Sequence, residues 1–212
     1  MTDLERPPLI NAPWPVLALV GSIIVAYAAQ SAFVSPDVVD RFAVNGLAIA
    51  DGRYGVLLTS LWLHGGWAHA LQNAVFGLAF ATPVARRMGP TVAGVSMFFI
   101  IYLVCGVFSG LVMALCLPNP ADGAIGASGA LAGMMGAASR LMTPGPGLAP
   151  FRSPTVLGMA GAWVVINLLF GQFLTGWAPG SGGAPIAWEA HLAGYAAGLV
   201  LIAPALRLLG RL

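Results

Sequence analysis

Gly126-Ala127-Ser128-Gly129-Ala130-Leu131-Ala132-Gly133 opens an apolar stretch that runs to about Met142, with a serine between two glycines at its mouth. About 60 residues later a histidine opens a second apolar stretch, Ala190-His191-Leu192-Ala193-Gly194. A lone Gly-x-Ser-Gly carries little information, because small residues crowd helix interfaces in membranes. A serine and a histidine that each stand at the start of a bilayer-depth helix carry more. The first stretch is also short: about 15 residues at 1.5 Å each give roughly 23 Å, against a hydrocarbon core of roughly 30 Å. If its inner end reaches the boundary at Arg140, its outer end lies below the outer surface and the preceding loop dips into the bilayer. Irregular backbone survives there only inside protein or beside a water-filled cavity.

The composition agrees with a membrane setting. Hydrophobic residues make up 58% of the 212-residue chain and charged residues 8%, and the mean hydropathy is +0.87. Soluble domains average roughly 25% charged residues, so the expected fold class is all-α, a polytopic membrane protein. All nine basic residues are Arg, and a net charge of +2 without a basic stripe argues against nucleic-acid binding. Cys105 and Cys116 share one apolar segment; eleven residues apart on a helix, they sit about 16 Å from each other, too far for a disulfide. Met1 to Pro8 has no small-residue cleavage site and does not read as a removable signal peptide.

Six spans are expected: Trp14 to Val34, Trp67 to Val84, Thr91 to Leu117, the short Ala127 to Met142, Thr155 to Leu174, and Trp188 to Leu206. They divide the chain into a tail (1–13), a membrane domain (14–206) and a second tail (207–212). Pro118 and Pro120 close the third span, and Thr143-Pro144-Gly145-Pro146-Gly147 stops the fourth. Ser35 to Gly66 holds Asp37, Asp40, Arg41, Asp51 and Arg53 among apolar pieces, as an interfacial loop lying on the bilayer would. Six spans put Arg6, Arg86, Arg87, Arg140, Arg152, Arg207 and Arg211 on one face, against Arg41 and Arg53 on the other. The positive-inside rule makes the Arg-rich face and both termini cytoplasmic. Ser128 and His191 then begin on the same outer leaflet.

A serine hydroxyl needs a base within about 3 Å to become a nucleophile, and His191 is the only histidine in the last two-thirds of the chain. The first turn of a helix offers unpaired backbone N–H groups to an oxyanion; the N–H of Ser128 is so placed. Gly126 and Gly129 let backbone and substrate approach. Gly194 and Gly198 lie on the His191 face, and Gly129, Gly133 and Gly136 form a matching strip, so the two helices can touch backbone to backbone. His69 and Asn73, at i and i+4, share a helix face as candidate oxyanion donors; their bland reading is two buried polar groups that satisfy each other. His64 reads as a loop-ordering group. Ser109, in Gly106-Val107-Phe108-Ser109-Gly110, is better explained by packing. Glu189 would point roughly 160° away from His191 on a helix, and Asp122 orders the loop before Ser128, so a Ser–His dyad is expected. The histidines have separate roles and no Cys or carboxylate shares a face with them, so neither metal nor cofactor is expected.

The ordered set Leu61-Trp62-Leu63-His64-Gly65-Gly66-Trp67-Ala68-His69 with Asn73, then Gly126-Ala127-Ser128-Gly129, then Ala190-His191-Leu192-Ala193-Gly194 with Gly198, resembles the rhomboid family of intramembrane serine proteases, in its bacterial six-span type. The resemblance covers Trp14 to Leu206. It implies Ser128 as nucleophile, His191 as general base, and His69, Asn73 and the Ser128 backbone N–H as the oxyanion hole. It also implies single-span membrane proteins as substrates, a lateral gate beside the fifth helix and a cap over Thr175 to Ala187. A bacterial inner (plasma) membrane is the expected home, with the site opening to the periplasmic side. Many relatives place an aromatic four residues after the serine, to stack on the histidine; this chain has Ala132. The Trp-Arg pair often found in the first loop is also missing near Tyr54-Gly55-Val56. Two rivals remain: a proteolytically inactive relative that binds transmembrane helices, and a small transporter or channel in which Gly-x-Ser-Gly is a packing motif, for which inverted repeats are expected and none is evident.

Overall fold

The computed structural model describes residues 11–116, 119, 121–142 and 147–212. Arg6 and most of the N-terminal tail, Leu117, Pro118, Pro120 and residues 143–146 of the helix stop lie outside the described residues. Helix α1 (Trp14–Phe33) starts with Pro15 in its first turn, where the missing N–H costs nothing. Between it and the next long helix, the Ser35 to Gly66 stretch is built of short pieces: α2 (Pro36–Phe42), β1 (Val44–Asn45), α3 (Gly46–Ala50), α4 (Val56–Thr59) and a 3₁₀ turn (Ser60–Trp62). The Asn45 side chain accepts from Ala48 N–H at 2.7 Å and so caps α3. Then follow α5 (Trp67–Met88), α6 (Val92–Cys116), β2 (Gly123–Ala124), α7 (Ser128–Ser139), α8 (Pro154–Leu168) and α9 (Trp188–Leu208). Ser153 caps α8, accepting from Val156 N–H at 3.3 Å.

The all-α expectation meets one departure. β1 and β2 pair antiparallel, Val44 with Ala124 and Asn45 with Gly123. Two extended residues on each side are enough to satisfy backbone groups that no helix serves, and the pairing ties the first loop to the connection before α7. The fifth helix also ends differently: α8 passes into a π turn, Leu169–Phe173.

Among the described residues, four helical stretches are long and apolar enough to cross a membrane: Trp14–Phe33, Val92–Cys116, Pro154–Phe173 and Trp188–Leu208. Their outward side chains, such as Val25, Phe33, Leu157 and Val165, are large, apolar and exposed, which suits hydrocarbon. The chain is an integral membrane protein. Helix α5 is 22 residues long but carries His69, Gln72, Asn73, Arg86 and Arg87. Helix α7 has 12 residues, about 18 Å, shorter still than the sequence suggests.

Helix α7 is the centre of the bundle. Every residue from Gly129 to Ser139 is buried, as expected for a helix that is apolar all round, and it packs against α5, α6 and α9. Its Leu131 shares one core cluster with Val16, Leu19, Val84, Phe98, Tyr102 and Ile202. Arg140, just past its end, donates to Ala149 O at 3.0 Å and to Leu199 O at 3.3 Å. Other arginines gather by their bonds: Arg86 donates to Asn11 O, Arg211 to Arg87 O, and Arg53 to Arg41 O.

Candidate active site

The turn into α7 is set by Gly126. Its φ is +123°, a conformation that favours glycine, and its N–H donates to Ser60 O at 2.9 Å, fastening the turn to the 3₁₀ segment. Ser128 is the first residue of α7, so its backbone N–H has no acceptor within the helix. Its hydroxyl lies beside a cavity of about 30 Å³ lined by Ser60, Gly106, Ser109, Gly126 and Gly129 among others. Since one water needs roughly 10–15 Å³ by this measure, the cavity has room for about two.

His191 stands in the first turn of α9. A Cβ added at Gly194 would fall on Gly129 O, one at Gly198 on Gly133 O, and one at Gly136 on Tyr195 O. The strips expected on the two helices are therefore in backbone-to-backbone contact. That contact brings His191 Nε2 to 2.8 Å from Ser128 Oγ, within hydrogen-bond distance.

His69 and Asn73 come to the same place from α5. A Cβ at Gly126 would lie 2.8 Å from His69 Nε2 and 3.7 Å from Asn73 Nδ2. The backbone N–H of Gly65 donates to His69 Nδ1 at 3.4 Å, which leaves the proton on Nε2, facing the Gly126 turn. Asn73 is buried, and its Nδ2 has no hydrogen-bond partner among the described residues. The two polar groups thus do not satisfy each other, and a buried unpaired donor is costly unless something else accepts from it. His64 belongs to the loop ahead of α5. Its N–H donates to Gln30 Oε1 at 3.0 Å and its carbonyl accepts from Gln30 Nε2 at 2.7 Å, a two-point clamp to α1. Burial, reinforced by neighbouring His69 and opposed by the Trp62 carbonyl, pushes the His64 imidazole down to about 4.

Other sequence candidates fall into structural positions. Ser109 Oγ donates to Gly106 O at 2.9 Å and lies against Gly129. Asp122 accepts from Asn119 Nδ2 at 2.8 Å within their own loop. Cys105 is buried against Gly133. The Thr175 to Ala187 loop reaches α5: a Cβ at Gly180 would lie 2.6 Å from Gln72 Oε1 and 3.2 Å from Ala68 O.

Two residues were not among the sequence candidates. Asn167 on α8 places Oδ1 2.7 Å from His191 Nδ1. Trp163, one turn earlier, lies with its ring 5.8 Å from the imidazole and donates through Nε1 to His191 O at 3.3 Å. The aromatic neighbour missing at Ala132 is thus provided by another helix, and Ala132 and Trp163 share one apolar cluster. The sequence shows only that Asn167 interrupts an apolar run, which marks a polar position without naming its partner.

Such a fold defines a class: an integral membrane protein of bundled helices, built around a short central one, with a serine and a histidine paired near its start. A family model described as Rhomboid domain matches residues 51–208. The chain belongs to the rhomboid family, whose members are generally intramembrane serine proteases. None of the curated proteins matches the chain.

Proposed function

We propose that the protein is an intramembrane serine endopeptidase that hydrolyses peptide bonds in or near the transmembrane segments of single-span membrane proteins. The observation that carries this reading is the 2.8 Å approach of Ser128 Oγ to His191 Nε2. Ser128 attacks the scissile carbonyl carbon while Nε2 takes its proton. The tetrahedral oxyanion accepts hydrogen bonds from the Ser128 backbone N–H, His69 and Asn73. Nε2 then returns the proton to the leaving amine, and the C–N bond breaks to give an acyl-serine. Water activated by the same imidazole hydrolyses the ester and restores the hydroxyl. The cavity beside Ser128, which Ser60 and Ser109 also line, has space for water near the nucleophile.

In this reading α5 and α7 complete a six-span bundle, with the first loop and the site on the outer, periplasmic side of a bacterial inner membrane and both termini cytoplasmic. Substrate enters laterally beside α8, whose outward face is apolar, and the loop from Thr175 to Ala187 covers the site.

A fluorophosphonate probe tests the proposal on the purified chain in detergent. Labelling that disappears in Ser128→Ala supports an activated serine; an unlabelled chain favours an inactive relative that only binds helices. Asn73→Ala should slow cleavage of a single-span reporter by roughly 10²–10³-fold, the loss typical of one oxyanion donor. An unchanged rate would remove Asn73 from the oxyanion hole.

A further inference from the structure

We infer that Asn167 of α8 is a positioning residue for His191, fixing both the tautomer and the angle of the ring that serves Ser128. This rests on the reading of Ser128 and His191 as nucleophile and base.

The hydrogen bonds allow one assignment. Asn167 Nδ2 lies 2.9 Å from Trp163 O, and a carbonyl oxygen only accepts, so the amide nitrogen must face it. The amide oxygen therefore faces His191 Nδ1 at 2.7 Å. Since that oxygen cannot donate, Nδ1 carries the ring proton and Nε2 is left bare toward Ser128 Oγ, 2.8 Å away. A bare Nε2 is the form that can take the hydroxyl proton. Asn167 is buried at 1% exposure, so bulk solvent does not compete for the bond.

The position on α8 adds a second argument. Of the 15 residues of α8 only Val156 and Asn167 are buried. The rest of its surface is apolar and largely outward, and packing alone gives no reason for an amide there. Trp163 and Asn167, at i and i+4, lie on one face and together bracket His191: Trp163 Nε1 holds its carbonyl and Asn167 its ring. The bond that orients the imidazole is thus also a polar tie between α8 and α9, so displacing α8 would release the ring.

The test uses the full chain in detergent with two near-isosteric substitutions. Asn167→Leu removes the acceptor and Asn167→Asp keeps it. Asn167→Leu should lower the fluorophosphonate labelling rate about 100-fold, the scale of a misplaced catalytic group. Asn167→Asp should stay within about tenfold of the original, because a carboxylate still accepts from Nδ1–H. Nitrogen-15 spectra of histidine-labelled protein give a readout apart from activity. His191 should carry its proton on Nδ1 in the original chain and gain the Nε2–H form in Asn167→Leu. An unchanged labelling rate and tautomer in Asn167→Leu overturn the inference. So does an equal rate loss in both variants with the tautomer unmoved, which would make Asn167 a packing residue. If the original chain takes no label but its tautomer responds to Asn167→Leu, the positioning stands and the protease reading falls.

Discussion

Ser128→Ala and His191→Ala are each expected to abolish cleavage of a single-span reporter in detergent, a loss of about 10⁴–10⁶-fold by comparison with other serine hydrolases. The two losses should be nearly equal, and the double variant no worse than either single one, because nucleophile and base act as a unit. In the structure the hydroxyl has the imidazole at 2.8 Å, and among the described residues no other histidine is hydrogen-bonded to it. The hydroxyl and thiol nearby are the control. Ser109 Oγ is occupied by Gly106 O in its own helix, and Cys105 is packed against Gly133. Ser109→Ala and Cys105→Ala should therefore leave cleavage intact. Full activity in either Ser128→Ala or His191→Ala would refute the assignment.

Gly198→Ala is expected to cost about 10²-fold in rate without touching a reacting atom. A single methyl there would overlap the carbonyl oxygen of Gly133, and that oxygen belongs to backbone that cannot rotate away. Helices α7 and α9 must separate to admit it. Overpacking of this kind costs about 1–3 kcal/mol or more, and a displacement of about 1 Å between reacting groups can cost 10²-fold in rate. The measurement is paired: thermal unfolding in detergent for the first effect, fluorophosphonate labelling for the second. Gly161→Ala on α8 is the control, since a Cβ there meets nothing within 4 Å. If Gly198→Ala unfolds and labels like the unchanged chain, the close seam between α7 and α9 does not hold the site together.

Much of this arrangement could be read from the sequence because it is written in local spacing. The Gly-x-Ser-Gly at the start of α7, the i, i+3, i+7 pattern of His191, Gly194 and Gly198, and the i, i+4 pair His69 and Asn73 each announce a helix face. The starts of the long helices also follow from composition: Trp14, Trp67 and Trp188 begin α1, α5 and α9 as expected. Asn167 escaped because its meaning depends on which helix lies across from it, and no spacing within α8 carries that. The same holds for Trp163, which takes the place beside the imidazole that Ala132 leaves open. The two-residue ladder between Val44–Asn45 and Gly123–Ala124 joins segments far apart in the chain. It has no periodicity to betray it.

The hollow beside Ser128 has a last consequence. At about 30 Å³ it has room for about two water molecules, so under the proposed protease reading water is at hand beside the serine that would carry the acyl group. Cleaved chains should then end in free carboxylates, which mass spectrometry of the products would detect.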